Sequence, residues 1–306
     1  MRALDPSLMS HGWDALRRGF PDALAAVLLP DHLHVIPNSD AVGPCRQRLA
    51  GVLSGVTRHS RWGSQDRWLE WRLAPARSLA SNRDHLARDI RYLALNPCRA
   101  GLVADPLEWL WTTHRDVVGA AADPWVTAGR LAAALGRPSA GFARAHHAYV
   151  SADPAVRVDG TPLPRPTTPS AAAVVGLERL CAASLAATRS LAAALCHRTL
   201  ARHVLVRLAH RYGWSRPHML AEICRMSRRA VRAQRAGTLE RRVLEAAELC
   251  LGDDRLLRAT AREAARACSG LERRCPPVAA PPVRLVGRAP PAAVTGTART
   301  RACGRR

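Results

Sequence analysis

The stretch PDHLHVIP, Pro30 to Pro37, sets two histidines one residue apart in an apolar run. On a strand successive side chains alternate faces, so His32 and His34 point one way and Leu33 the other. Two imidazoles on one face of a rigid element can begin a metal site. The same pattern also fits a half-buried strand with two polar residues on its wet face. Working outward, HGWDALRRGFPDALAAVLLPDHLHVIP reads as a short helix, a turn at Gly19-Phe20-Pro21 and an apolar strand. CRQRLAGVLSGVTRHSRW carries Leu49, Val52, Leu53 and Val56 at helical spacing. DRWLEWRL alternates weakly, as a strand would, with Trp68 and Trp71 as its large residues. SNRDHLARDIRYLALNP reads as a helix capped by Ser81 or Asn82, with Leu86, Ile90 and Leu93 on its apolar face.

Composition narrows the class of partner. The 306 residues suffice for one large domain or two ordinary ones, and an apolar fraction of 48% can form a core. Aromatic residues are only 4%, so much of that core must be Leu, Val and Ala. The chain has no lysine; all 46 basic residues are arginine, and the net charge is +22. Such a balance points to a polyanionic partner, nucleic acid before an anionic membrane surface, because phosphates reward arginine strongly. No apolar run approaches the roughly 18 residues of a membrane span, and the first twenty residues lack a signal-peptide core. The nine cysteines are scattered and never spaced C-x-x-C, which argues against a disulfide framework or a structural zinc site. A reducing cytoplasm, with the protein on the nucleoid, is the expected location.

The second informative stretch is RYLALNPCRAGLV, Arg91 to Val103. If it is helical through Asn96, Tyr92 and Asn96 lie one turn apart on one face. Read alone, Asn-Pro is an ordinary helix stop. Of the three tyrosines, Tyr149 lies beside His146 and His147 in AHHAYV, which reads as a polar helix face, and Tyr212 in HRYGW reads as packing at a helix end.

PDHLHVIP resembles the His-hydrophobic-His motif of single-strand DNA transposases with one catalytic tyrosine. RYLALNPCRAGLVADPLEWLWTTHRDVVG resembles the block that follows in the REP-associated tyrosine transposases: a Tyr before Asn-Pro, a basic-small-Gly turn, a Pro, and an aromatic-Ser/Thr-Ser/Thr segment. Here these are Tyr92, Asn96-Pro97, Arg99-Ala100-Gly101, Pro106 and Trp111-Thr112-Thr113. The likeness covers roughly residues 10 to 125. It implies that His32, His34 and Asn96 bind one divalent Mg²⁺ or Mn²⁺ and that Tyr92 attacks a phosphodiester of single-stranded, hairpin DNA. It also implies a homodimer, with Arg91, Arg99 and Arg115 as DNA contacts. The implied fold is α+β, a ferredoxin-like antiparallel sheet with helices on one face. The family's opening strand, ending in a Tyr-His-Val-Thr-like segment, has no counterpart in MRALDPSLMSHGWDAL: either residues 1–10 are a poor substitute for it or the chain is truncated. SRWGSQDRWLEWRL follows the family's Trp-Gln-basic run only loosely.

Beyond this catalytic unit, expected over 1–125, residues 126–170 read as a helical extension and a Pro-rich linker. Residues 171–260 read as an all-α domain, and 261–306, rich in Pro and Arg, as a disordered basic tail. Within the α domain, LAHRYGWSRPHMLAEICRMSRRAVRAQRAG resembles a helix-turn-helix at about 218–236. MLAEIC would be its first helix, RMS its turn and RRAVRAQ its recognition helix. Leu220, Ile223 and Val231 fit the apolar positions. Arg228, Arg229 and Arg232 are suited to phosphates or guanine edges. A basic solvent face on an ordinary bundle gives the same pattern. Three functions follow: a tyrosine transposase, a decayed or domesticated DNA-binding protein, and a transcription regulator built on the second half.

Overall fold

The computed structural model describes residues 6–39, 41–63, 71–74, 82–158, 160, 163, 175–189, 194–214 and 216–268. Helix α1 (Pro6–Gly19) precedes β1 (Ala25–Leu28) and β2 (Leu33–Ile36). Then come α2 (Val42–Gly63), α3 (Arg83–Arg99), a 3₁₀ turn over Pro106–Glu108, α4 (Thr113–Val117), α5 (Ala128–Ala134) and α6 (Phe142–Ser151). The second half holds α7 (Leu177–Thr188), α8 (Ala194–Arg211), α9 (Pro217–Cys224), α10 (Arg228–Ala236), α11 (Arg241–Leu251) and α12 (Asp254–Cys268). The architecture is mixed and mostly helical, with one small antiparallel sheet among the described residues.

The single apolar strand expected after the Gly19-Phe20-Pro21 turn is a hairpin. Val27 pairs with His34 and Leu28 with Leu33, and Leu29 N–H donates to the His32 carbonyl at 2.8 Å across the turn. Pro30 and Asp31 sit at the tip because proline presets φ and aspartate favours turns. Every residue of β1 is buried. Its other edge is covered by Trp111–Thr113: Leu28 N–H donates to the Trp111 carbonyl at 3.0 Å, and Val27 bridges Thr112. Thr113 Oγ1 accepts the Ala26 N–H at 3.0 Å. The expected strand over DRWLEWRL lies mostly outside the described residues; its last three, from Trp71 to Leu73, are in no strand or helix.

Two cores form. The first gathers Trp13, Leu16, Phe20 and Leu28 with Trp111 and Trp125; Trp13 meets Trp125 edge-on at 5.2 Å between ring centres. The second packs α7, α8, α11 and α12 through Leu, Ala and Val side chains, as the sparse aromatics require. Leu107, Val118, Ala120 and Ala122, from the expected catalytic unit, lie in this second core. The halves therefore share a core where a boundary near residue 125 was expected. Two further features depart from the linker and tail readings. Asp153 and Leu163 are buried within the Pro-rich stretch, and α12 runs to Cys268. His146 and His147 are also buried, at 5% and 1% exposure, so AHHAYV is a packed face and not a polar one. Phe142 stacks on His146 at 5.6 Å, and His114 Nε2 lies 3.2 Å from His147 Nδ1, which reverses that reading.

Candidate active site

Helix α3 starts at Asn82, whose side chain accepts the backbone N–H groups of Asp84 and His85 at 2.9 and 3.1 Å. Ser81, the other candidate cap, lies outside the described residues. Ile90, Leu93 and Ala94 face inward, which turns Tyr92 outward at 44% exposure. Asn-Pro does not end the helix, although proline removes one intrahelical bond. Leu95, Asn96 and Pro97 are buried, and this packing holds the last turn, which closes when Ala100 N–H donates to the Asn96 carbonyl at 2.9 Å. Gly101 then takes φ 67°, a left-handed turn that suits glycine.

The hairpin delivers its histidines to this helix. The His32 and His34 rings lie 5.2 Å apart, close to perpendicular. His34 stands 6.2 Å from the Tyr92 ring, also nearly perpendicular. Asn96 Nδ2 lies 3.3 Å from His32 Nε2. The structure thus brings His32, His34, Tyr92 and Asn96 together from two elements more than fifty residues apart in sequence. Burial, and then the neighbouring His32, hold His34 below the usual imidazole range, which favours the neutral ligand-competent form.

Comparison with known proteins identifies no relative: no family model, no curated protein and no solved structure matches the chain.

The donor set fits a divalent cation. His32 Nδ1 lies 2.7 Å from Asp31 Oδ1, and a ring that donates there in its neutral form presents the Nε2 lone pair toward Asn96. Rotating the Asn96 amide by half a turn would place its oxygen against that lone pair, an arrangement that a cation can bridge. Among the described residues no three His, Cys, Asp or Glu side chains cluster for a metal, so a site here takes its third ligand from the amide.

The predicted arginines separate into three groups. Arg91 and Arg99 both reach the buried Asp153, at 3.1 and 3.3 Å. Arg228, Arg229 and Arg232 are exposed along α10. Arg115 is corrected outright. It is 3% exposed, and its guanidinium donates to the carbonyls of Leu107, Leu256 and Ala186. A side chain enclosed by the shared core contacts no DNA; Arg115 stitches α4 to α7 and α12. Two residues near the site had no motif to reveal them. Asp153 follows α6, and Tyr149 on α6 lies 4.5 Å beneath the Arg91 guanidinium. Asp31 had a weak signal, as the carboxylate beside the first histidine.

The helix-turn-helix segment folds as α9, a turn and α10. Arg225 holds φ 49° in that turn, the left-handed conformation more often given to glycine. Ser227 caps α10 by accepting the Ala230 N–H at 3.1 Å. Leu220 and Val231 are buried between the two helices, which directs the α10 arginines outward.

Proposed function

We propose that the protein is a DNA transposase that cleaves and rejoins single-stranded, hairpin-type DNA through Tyr92. The observation that carries this reading is the meeting of His32, His34 and Asn96 beside an exposed Tyr92. The Tyr92 phenol oxygen attacks phosphorus and forms a phosphotyrosyl ester, while the bond from phosphorus to the 3′-oxygen breaks. The phenol loses one proton and the departing 3′-oxygen gains one, so the step balances. Because one phosphodiester replaces another, the 3′-hydroxyl can later attack the tyrosyl ester and join a new strand. A bound Mg²⁺ or Mn²⁺ would polarise the phosphate and neutralise its developing charge. Tyr92 and Asn96, one turn apart on α3, let one helix carry both nucleophile and ligand. The exposed arginines of α10 supply a second DNA contact, and a homodimer would present two such sites.

Labelled hairpin DNA incubated with Mn²⁺ and resolved on a denaturing gel tests the reading. A covalent band is expected for the wild type and none for Tyr92→Phe, with binding retained. A band that persists in Tyr92→Phe would overturn the assignment. The alternative, a decayed or domesticated DNA-binding protein, draws on the sheet, which has two described strands where a ferredoxin-like sheet has four. Hairpin binding with no metal-dependent band would favour it.

A further inference from the structure

Asp153 belongs to none of the motifs, yet it touches both arginines that flank Tyr92 on α3. Its side chain is 7% exposed. Oδ2 accepts from Arg91 Nε at 3.1 Å and from Arg99 Nη2 at 3.3 Å, and Oδ1 accepts the Ala155 N–H at 2.9 Å. Arg91 is fixed by two contacts, the carboxylate and the Tyr149 ring 4.5 Å away. Arg99 is held differently. One nitrogen is committed to Asp153, and the guanidinium carbon sits 5.0 Å from the Tyr92 ring centre. Its remaining N–H groups bond to no described residue, on a side chain 32% exposed. Tyr92, Asn96 and Arg99 follow one another at i, i+4 and i+7, a single stripe of α3.

We propose that Arg99 is an anion clamp for the Tyr92 site and that Asp153 is its positioning residue. This rests on the reading of Tyr92 as a nucleophile toward a phosphodiester. The open donors of Arg99 receive a non-bridging oxygen of the phosphate that Tyr92 attacks, in the planar fork geometry that arginine offers and lysine lacks. Asp153 takes one donor and thereby fixes where the others point. Arg91 is the second pin of the same carboxylate and contacts no DNA. Arg91 and Arg99, alike in sequence, thus divide into a structural and a functional arginine.

Charge and positioning predict opposite signs for one variant. Asp153→Asn removes a negative charge, so Coulomb attraction alone would strengthen anion binding at Arg99. Loss of the positioning contact would weaken it. The full chain is labelled with 3-fluorotyrosine, the Tyr92 fluorine resonance is assigned by Tyr92→Phe, and inorganic phosphate is titrated at constant ionic strength. The wild-type resonance should move with phosphate, Arg99→Gln should abolish the movement, and Asp153→Asn should require about tenfold more phosphate. With hairpin DNA and Mn²⁺, Arg99→Gln and Asp153→Asn should slow covalent adduct formation by on the order of tenfold or more, with oligonucleotide binding changed by less than about threefold and no rescue by Arg99→Lys. Arg99 is partly exposed, so Arg99→Gln keeps the test open if Asp153→Asn fails to fold. A wild-type resonance indifferent to phosphate, or an equal response in Arg99→Gln, overturns the clamp. So does tighter phosphate binding in Asp153→Asn. If the wild type forms no adduct, the nucleophile reading fails while the fluorine titration still decides the clamp.

Discussion

Helix α3 sets Arg91 and Arg99 against the buried Asp153, whereas α10 leaves Arg228, Arg229, Arg232 and Arg235 exposed, in no ion pair among the described residues. Both helices are basic, but their arginines are held in different ways. On α3 the Arg91 and Arg99 guanidiniums each have a carboxylate and an aromatic ring to fix their direction, as a site with defined geometry requires. On α10 the burial of Val231 aims the helix, and the side chains remain free to follow a phosphate backbone. A third set, Arg115 and Arg255, lies inside the shared core. A net charge of +22 therefore hides three kinds of arginine: pinned beside the candidate site, exposed on a helix face, and enclosed in the core.

The sharpest way to break this division is to remove a buried arginine. Arg255 Nη1 meets Asp105 Oδ2 at 3.1 Å and its Nη2 meets Asp253 Oδ2 at 2.7 Å, with all three side chains under a tenth exposed. Burial opposes its charge, but the two carboxylates raise its pKa all the same. Arg255→Ala should cost about 3–5 kcal/mol, because it strands two buried carboxylates. Denaturant unfolding should show both halves losing stability together, since Asp105 belongs to one half and Arg255 to the other. A loss confined to the second half would mean that the shared core does not couple them.

The next effect comes from the buried histidines. His114 Nε2 lies 3.2 Å from His147 Nδ1. Burial, and then the neighbouring His146 and His147, hold His114 well below the usual imidazole range. Burial and His147 bring His146 down to about 4. Below about pH 6.5 the unfolded chain binds protons that these folded histidines refuse, so stability falls with pH, by up to about 1.4 kcal/mol per unit for each. Asp116 works the other way. Burial pushes it up to about 7, against the lowering effect of the Val126 and Trp125 N–H groups. The folded chain there keeps a proton that the unfolded chain has lost, so its contribution grows as pH falls. Between pH 6.5 and 5 the two histidines outweigh the one aspartate by about 1.4 kcal/mol per unit. Asp116→Asn should steepen the fall by about 1.4 kcal/mol per unit relative to the wild type, measured as unfolding free energy against pH. The other histidines are common to both proteins and cancel. An unchanged slope would mean that Asp116 is ionised in the folded chain.

The helices of the site were legible because their signals are local. Asn82 caps α3, the inward face follows Ile90 and Leu93, and the histidine pair marks the entry to a strand, with His34 inside it and His32 in the turn before it. The hairpin was not read as two strands because β1 and β2 are both apolar and Pro30-Asp31 is too brief a break to separate them by periodicity. Asp153 was hidden for a different reason. It lies in a Ser-Ala-Asp-Pro segment with linker composition, and only the packing of α6 near α3 turns its carboxylate into a partner for Arg91 and Arg99. Arg115 misled in the opposite sense. A charged residue after Thr112-Thr113 reads as exposed, but the Leu107 carbonyl comes from the preceding 3₁₀ turn and those of Ala186 and Leu256 from two distant helices. Sequence pattern reports which face of an element is apolar; it does not report which polar groups tertiary packing will supply to a buried cation.

The smallest effect sharpens the comparison from the side of α10. Arg228, Arg229 and Arg232 are exposed and bond to no described side chain, so replacing them with alanine should leave stability within about 0.5 kcal/mol. In the proposed function their contribution to DNA binding would be released counterions, which appear in the dependence of affinity on salt. Each arginine that neutralises a phosphate contributes about 0.9 to the slope of log K against log salt concentration on duplex DNA. The triple variant should therefore flatten that slope by up to about 2.7, uniformly across sequences if the contacts are to phosphates. A loss concentrated on one sequence would instead place some of these side chains on base edges, where arginine pairs with guanine. Adduct formation on single-stranded hairpin DNA at saturating concentration should be unaffected, because none of the three touches α3 or the β1–β2 hairpin. If the triple variant slowed that step as strongly as Arg99→Gln, α10 would belong to the same site as Tyr92, and the separation of fixed from free arginines would collapse.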